Sequence, residues 1–276
     1  MKKILTVLFL ILFSFFNNNL SNKVFAKEIT NLSWNKSVAK GKKLSNFRET
    51  VTSPALGKKA WKITLLPKDC GRDNEGDYSD CKNNGRDAVV GHGGGDRARS
   101  EFSSSQKFIG EKWHSLSIFI PKDFKSVQPV QASLWQIYEW GNKDEQRGPR
   151  LMLKVMDGKL VPRYYPINGM DLGGITQNYL DIEDMKEKWT TLIFHTKMSK
   201  DPLKGFVRMY VNDVLYNQYK GRTSWGGLHY NKFGIYHSWI SRWNDEINGE
   251  YPTHIVYYDN LFRANSKEKL LKLIQN

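Results

Sequence analysis

The pattern of hydrophobic and polar positions along the chain is one of short apolar runs separated by turn signals. The runs are five or more residues long and rich in Val, Ile, Tyr, Phe and Trp, which favours β-strands. Turn residues mark the breaks, as at Asp157-Gly158 and Asn248-Gly249. The pattern therefore predicts strands at 60–66, 115–120, 132–140, 151–156, 159–165, 189–198, 205–219, 232–239 and 254–262.

Many regularly spaced strands with short turns are typical of a β-sandwich or jelly roll, so we predict an all-β fold. Within 205–219, Asn212-Asp213 lies between two β-rich arms and predicts a tight hairpin. There is no internal repeat and no linker, so residues 27–276 are predicted to form a single domain. The last residues, 266–276, predict a short C-terminal helix that docks through three apolar side chains, Leu270, Leu271 and Ile274.

The start of the chain predicts a secretory signal peptide over residues 1–26. Two lysines follow Met1, an apolar run spans 4–16, and small residues precede a cleavage site after Ala26. We therefore expect an exported protein, periplasmic or secreted, without stable membrane association after cleavage. The apolar run of 13 residues is short for a bilayer, and an uncleaved anchor is the alternative.

The two cysteines of the chain, Cys70 and Cys81, lie in one polar stretch. An oxidising compartment favours a disulfide between them, which would close a loop too polar to be held by burial. A metal site is the alternative, but it needs more thiol or imidazole ligands than this stretch offers. Four acidic residues between the cysteines could hold calcium, although they lack the ligand order of an EF-hand. The sequence therefore requires no cofactor and leaves calcium possible.

The chain is strongly basic, with a formal net charge of +14 at pH 7. A soluble protein with this charge attracts polyanions, of which nucleic acid and acidic polysaccharide are the two main classes. Export favours the polysaccharide. We therefore expect the protein to bind an acidic polysaccharide and no nucleic acid. We also expect a monomer. The alternative explanation of the charge is a general bias toward surface lysine.

The stretch "YNKFGIYHS", 230–238, predicts a strand with an unusual outward face. Successive side chains of a strand point to opposite faces, so Phe233 and Ile235 are expected in the core. Tyr230, Lys232 and Tyr236 then share the other face. Gly234 lies between them without a side chain, which predicts room for a sugar ring close to the backbone.

Two further strands carry outward faces that mix aromatic, amide and charged groups. The predicted outward residues are Arg97, Arg99 and Glu101 in "RARSEF", and Gln136, Tyr138 and Trp140 in "WQIYEW". Any one such face could be an ordinary exposed surface. Three together predict a groove that stacks sugar rings and binds charge.

In their order along the chain, "RSEF", "WQIY", "YNKFGIYHS" and "VYYDNL" resemble the exported polysaccharide lyases with a concanavalin-like jelly roll, over roughly residues 45–263. This group includes heparin lyase I, glucuronan lyase and, more distantly, the alginate lyases. The alginate lyases carry Arg-x-Glu, Gln-Ile-His and Tyr-x-Lys-x-Gly-x-Tyr strands. The matching segments here are 99–101, 136–138 and 230–236, with Tyr138 at the usual histidine position.

The resemblance implies cleavage beside a uronic acid by β-elimination. Arg99 and Gln136 are then expected to neutralise the substrate carboxylate, and Tyr236 to protonate the leaving oxygen. Lys232 is expected to favour the phenolate of Tyr236 and to help hold the carboxylate. The resemblance leaves the polymer open among glucuronan, alginate and glycosaminoglycan. The expected substrate-binding residues are Arg97, Glu101, Trp140 and Tyr230.

The base that removes the C5 proton is left open between Tyr236, Tyr138 and a histidine, with His92 in "GHGGGD" as the best histidine candidate. The "HGGG" run could mark an esterase loop, but no Gly-x-Ser-x-Gly follows it. A glycoside hydrolase would need paired carboxylates, which no predicted strand offers. The serious alternative to the lyase is a non-catalytic, lectin-like module that binds acidic glycans.

Overall fold

The computed structural model of the protein describes residues 32–34, 48–66, 97–142, 147–165, 178–240, 242–243 and 251–275. They form two seven-stranded sheets whose strands pair antiparallel and which pack face to face. This is the predicted all-β sandwich. The predicted signal peptide, the Cys70–Cys81 disulfide and His92 lie outside the described residues and remain predictions.

The first sheet contains the strands that the sequence linked to chemistry. In spatial order it consists of β1 (Leu32–Trp34), β4 (Arg97–Ser104), β13 (Leu228–Ser238), β6 (Gln131–Trp140), β7 (Gly148–Met156), β8 (Lys159–Tyr164) and β9 (Leu180–Asp181). β4, β13 and β6 are therefore neighbours, although they come from distant parts of the chain.

The second sheet closes the other side of the core. In spatial order it consists of β12 (Val214–Lys220), β11 (Phe206–Val211), β10 (Trp189–Met198), β5 (Gly110–Phe119), β14 (His254–Ala264), β3 (Ala60–Leu65) and β2 (Arg48–Val51). The one-turn helix α1 (Ile182–Met185) follows β9, and α2 (Lys267–Gln275) ends the described chain. Among the described residues, no helix has the length and apolar character needed to span a membrane.

The strand predictions are confirmed except at the sheet edges. The hairpin between β11 and β12 turns at Asn212 and Asp213, which both have positive φ angles, 50° and 66°, as a tight two-residue turn requires. β1, β2 and β9 were not predicted. Each has four residues or fewer and lies at a sheet edge, so pairing with a longer neighbour, not local composition, makes it a strand.

Aromatic and aliphatic side chains from both sheets fill the space between them. Trp135 of β6 stacks on Phe194 of β10 across the core, with ring centroids 4.6 Å apart. The C-terminal helix α2 docks on the outside of the second sheet, as predicted: Leu270 is fully buried, and Leu271 and Ile274 pack in the same small cluster. The side of the first sheet that faces away from the core carries the candidate chemistry.

Candidate active site

The predicted site residues within the described part of the chain lie together on one surface, which we call the open face. It consists of the side chains of β4, β13, β6, β7 and β8 that point away from the core between the sheets. The strand pairing places Tyr236 opposite Arg99, Lys232 opposite Gln136, and Tyr230 opposite Tyr138. Three segments that are far apart in sequence thus form one continuous polar and aromatic surface.

A buried carboxylate organises the centre of the open face. Glu101 is 1 % exposed, and each of its oxygens accepts a hydrogen bond. The donors are the Gln136 amide at 2.6 Å and the Lys232 ammonium at 2.7 Å. Because both oxygens are already engaged within the protein, Glu101 is placed to orient its two neighbours.

Two phenols pack beside this centre. Tyr138 and Tyr230 have ring centroids 5.4 Å apart, and the Lys232 ammonium lies 5.8 Å from the Tyr138 ring. Burial raises the pKa of both phenols above the ordinary value, although Arg99 opposes the shift in each. Both side chains therefore keep their protons at neutral pH.

Tyr236 lies at the other end of the cluster and is half-buried. The Arg99 guanidinium carbon is 5.4 Å from the centre of its ring, within the range of a cation–π contact. Arg97 follows on the same side of β4. Tyr236 is thus the phenol of the open face that has a guanidinium group directly against its ring.

At Gly234 the place that a side chain would take is filled by β4, and the predicted room for a sugar ring stays a prediction. Its φ angle is +126°, and a Cβ atom added to it would lie 2.2 Å from the Ser100 carbonyl oxygen on β4. Glycine is required here because the backbone conformation and the close approach of β4 exclude a side chain.

The same glycine belongs to a β-bulge. The register between β13 and β6 shifts between Phe233 and Tyr236. From the second sheet, the buried Tyr258 hydroxyl lies 2.8 Å from the Gly234 carbonyl oxygen and 2.9 Å from that of Leu134. The bulge therefore has a hydrogen-bonding partner beneath it, next to the strand segment that carries Tyr236.

Trp140 lies near one end of the open face among cations. The Arg147 guanidinium is 4.7 Å from its ring, and the Lys107 ammonium is 5.8 Å away. An aromatic ring among cations suits a sugar that carries negative charge. The predicted binding role of Trp140 is consistent with this position.

The loop before β13 is fixed by a second buried carboxylate, Glu139. It accepts hydrogen bonds from the backbone N–H groups of Trp225 and Gly227, the Ser224 hydroxyl and the Arg150 guanidinium. Burial by itself would raise the pKa of Glu139, but His229 and these donors outweigh it and lower the pKa to about 2. Sequence reasoning missed this carboxylate, because its partners become neighbours only through the pairing of β6 with β13.

Sequence reasoning also missed the residues that β7 and β8 add to the open face. Lys154, Arg163 and Tyr165 alternate with the core residues Leu153 and Tyr164. The available signal was Lys154, the one charged residue in the otherwise apolar run "LMLKVM". The remaining residues of this run are apolar, so its composition predicts a buried strand and gives little sign of a second, polar face.

None of the five histidines within the described residues lies on the open face. His114, His229 and His237 are buried on the core side of the sheets, and His195 and His254 belong to the second sheet. The sixth histidine, His92, lies outside the described residues. The described part of the chain therefore offers Tyr236 and Tyr138 as candidate bases.

No cluster of three or more potential metal ligands occurs within the described ranges. The calcium alternative concerned the acidic stretch between Cys70 and Cys81, which lies outside those ranges.

The buried histidines predict stability that falls as the pH drops. Burial lowers the pKa of His237, His254 and His114 in the folded protein, and His237 and His254 stand with ring centroids 4.8 Å apart. The unfolded chain, with histidine pKa values near 6.5, takes up protons first. The stabilisation is therefore complete above about pH 6.5 and is lost below it, by up to about 1.4 kcal/mol per pH unit and histidine.

Urea unfolding at a series of pH values between about 7.5 and 5 measures this dependence. The His254→Gln variant removes one titrating ring and should show a shallower loss of unfolding free energy. An unfolding free energy that stays constant over this range would contradict the prediction.

A sequence profile described as polysaccharide lyase matches residues 27–262. The chain belongs to the polysaccharide lyase family. The resemblance seen in the motifs is thereby confirmed, and the protein is a lyase enzyme. Family membership also favours catalysis over the lectin-like module. Comparison with curated protein sequences returned no match.

Solved structures show the same fold at low sequence identity. An endo-β-1,4-glucuronan lyase from the fungus Trichoderma reesei is similar with a TM-score of 0.56 at 12 % identity, covering 89 % of this chain and 94 % of that chain. The family 7 alginate lyase A1-II′ is similar with a TM-score of 0.54 at 15 % identity, covering 88 % of this chain and 98 % of that chain. A GH131 β-glucanase catalytic domain from Podospora anserina is similar with a TM-score of 0.53 at 10 % identity, covering 88 % of each chain. These similarities confirm the jelly-roll fold.

Proposed function

We propose that this lyase cleaves a uronic-acid-containing, anionic polysaccharide by β-elimination on the open face of the first sheet. The observation that carries the proposal is the charge of that face. Glu101 is the one carboxylate that β4, β13, β6, β7 and β8 place there within the described residues, and it is already bound by Lys232. The remaining cations favour a polyanion as ligand; they are Arg97, Arg99, Lys154, Lys159 and Arg163.

β-Elimination needs positive charge and hydrogen-bond donors around the C6 carboxylate of the uronate, because that group carries the charge left when the C5 proton departs. Arg99 and Gln136 are the proposed donors. The Gln136 amide is held in place by Glu101, so its orientation is set before the substrate arrives. Lys232, held by the same carboxylate, contributes to the field around this point.

Tyr236 is the proposed acid and base. The C5–H bond breaks and its proton goes to the base, the C4=C5 double bond forms, and the C4–O4 electron pair leaves with the oxygen, which takes up a proton. The Arg99 guanidinium against the Tyr236 ring favours the phenolate that the first step requires. Tyr138 holds its proton more firmly because of burial, which suits a hydrogen-bond donor. His92 remains the alternative base.

A panel of polymers tests the proposed function. Glucuronan, alginate and a glycosaminoglycan are incubated with the purified lyase, and the unsaturated product is followed by its ultraviolet absorbance. We expect product from at least one of them and none from a neutral β-glucan. KM should rise with salt concentration, because ions screen the attraction beyond about 8 Å at physiological ionic strength.

Two results would contradict the proposal in different ways. Tight binding of a uronate polymer without any unsaturated product would indicate that the open face only binds. Equal retention on neutral-glucan and uronate columns would remove the electrostatic part of the argument.

A further inference from the structure

Lys154 is a buried cation on the open face to which the reaction assigns no role. It is 6 % exposed and belongs to β7. Its strand neighbours Leu153 and Val155 point into the core, so Lys154 points to the side that carries Tyr236. An ammonium group this deeply buried loses hydration, and the loss is normally compensated by an ion pair.

The compensation within the described residues is incomplete. The Lys154 ammonium donates a hydrogen bond to the Gln131 side-chain oxygen at 2.5 Å and lies 5.6 Å from the centre of the Tyr165 ring. No described carboxylate forms an ion pair with it. Burial, together with the like charge of Arg163, lowers the pKa of Lys154 to about 8. The site therefore favours a negatively charged partner that the described chain does not supply.

The strand register connects this site to the proposed catalytic residues. Arg99 pairs with Tyr236, Tyr236 with Ser133, and Ser133 with Lys154. The four residues form one row across β4, β13, β6 and β7. Two strand spacings separate Tyr236 from Lys154, about 10 Å between backbones, and the residue between them, Ser133, has a small side chain. Burial raises the pKa of Tyr165 to about 12, and the like charge of an ionised Tyr236 adds to the shift.

We propose that Lys154, with Gln131 and Tyr165, binds the carboxylate of a sugar residue that neighbours the uronate being cleaved. The substrate then supplies the missing counter-ion, and the site selects polymers in which consecutive residues are acidic. A polymer whose uronates alternate with neutral sugars leaves Lys154 buried without an anion. This inference rests on the proposed function, because it assumes that an anionic polymer lies across the open face.

The Lys154→Met variant tests the site. Methionine keeps an unbranched chain but removes the charge. On a polyuronate, glucuronan or alginate, KM should rise about ten- to hundredfold, the range expected for a hydrogen bond to a charged group, while kcat changes by less than twofold. A higher KM at an unchanged kcat indicates that the lost interaction was equally strong in the ground state and in the transition state. Thermal stability should stay the same or rise, because a buried charge is replaced by an apolar side chain.

Lys220→Met is the matched control. It removes the same charge from an exposed lysine on β12 of the second sheet, so general electrostatic attraction changes equally. Its KM should stay within twofold of that of the unmodified enzyme. An equal rise in both variants, or no rise in Lys154→Met, would overturn the inference.

The pH profile separates charge from packing. In the unmodified enzyme KM should rise above about pH 8 as Lys154 loses its proton. Lys154→Arg keeps its charge at these pH values, so its KM should not follow this rise. The same rise in Lys154→Arg would contradict the role of this ammonium.

Failure of the inference about Lys154 can be distinguished from failure of the proposed function. If the unmodified protein forms no unsaturated product, its function as a uronate lyase fails, and calorimetric binding of glucuronan and alginate still tests the site. Tighter binding by the unmodified protein than by Lys154→Met supports the inference, and equal binding contradicts it. Cleavage restricted to a glycosaminoglycan with alternating neutral sugars supports the lyase and overturns the selection by Lys154.

Discussion

Replacing Tyr236 by phenylalanine is expected to lower turnover on the accepted polymer by about 10²-fold or more, the scale of lost acid–base catalysis. The substitution keeps the ring and its contact with the Arg99 guanidinium but removes the proton that the leaving oxygen needs. Folding and polymer binding should change little. The measurements are the initial rate of unsaturated product, the thermal unfolding midpoint and the binding of the polymer by the inactive variant.

Three companion variants make the result specific. Tyr216→Phe removes a phenol from the edge strand of the second sheet and should leave turnover within twofold. Tyr138→Phe and His92→Ala show whether another residue removes the C5 proton, because replacing the true base should lower turnover as strongly as Tyr236→Phe does. An unchanged rate for Tyr236→Phe would mean that the catalytic assignment is wrong.

Removing the carboxylate of Glu101 is expected to destabilise the protein by about 3–5 kcal/mol, the usual cost of leaving a buried charge without its partner. In Glu101→Ala, the buried Lys232 ammonium and the Gln136 amide both lose the hydrogen bonds that they donate to this residue. Urea unfolding measures the free energy. Turnover should fall as well, since neither group keeps its orientation.

A double variant distinguishes the ion pair from general packing. Glu101→Leu combined with Lys232→Met replaces both charges by apolar side chains, and such replacements are often neutral for stability. We expect the double variant to recover most of the unfolding free energy lost in Glu101→Leu alone, but none of the turnover. If the double variant instead loses as much unfolding free energy as the two single variants together, Glu101 and Lys232 are not coupled.

The sequence predicts the parts of the fold that depend on local patterns. Alternation in "YNKFGIYHS" correctly placed Phe233 and Ile235 in the core and Tyr236 on the opposite face. The hairpin at Asn212-Asp213 followed from residues that tolerate positive φ. Because alternation fixes the face of each side chain, the sequence predicts which residues of these strands lie on the open face, although it does not show that the strands are neighbours.

The features that the sequence could not predict depend on pairing between distant strands. Gly234 was interpreted through the substrate, although the Ser100 carbonyl of β4 is what excludes a side chain there. The hydrogen bonds that Glu101 accepts from Gln136 and Lys232 join residues 35 and 131 positions apart in the chain, so no local pattern predicts them. Lys154 gives only a weak signal in the sequence, because it is one charge in an apolar run. Its neighbours on the open face are set by the pairing of β7 with the strands beside it.

The bulge at Gly234 limits how the chain can change in length. From Lys232 to Ser238, β13 stays in continuous register with β4, while its register with β6 shifts by one residue. Deleting or inserting a residue between Lys232 and Tyr236 would turn one of them toward the core, because a shift of one position exchanges the faces of a strand. The length of this segment is therefore fixed by the two registers, and between Lys232 and Tyr236 the activity can diversify only by substitution.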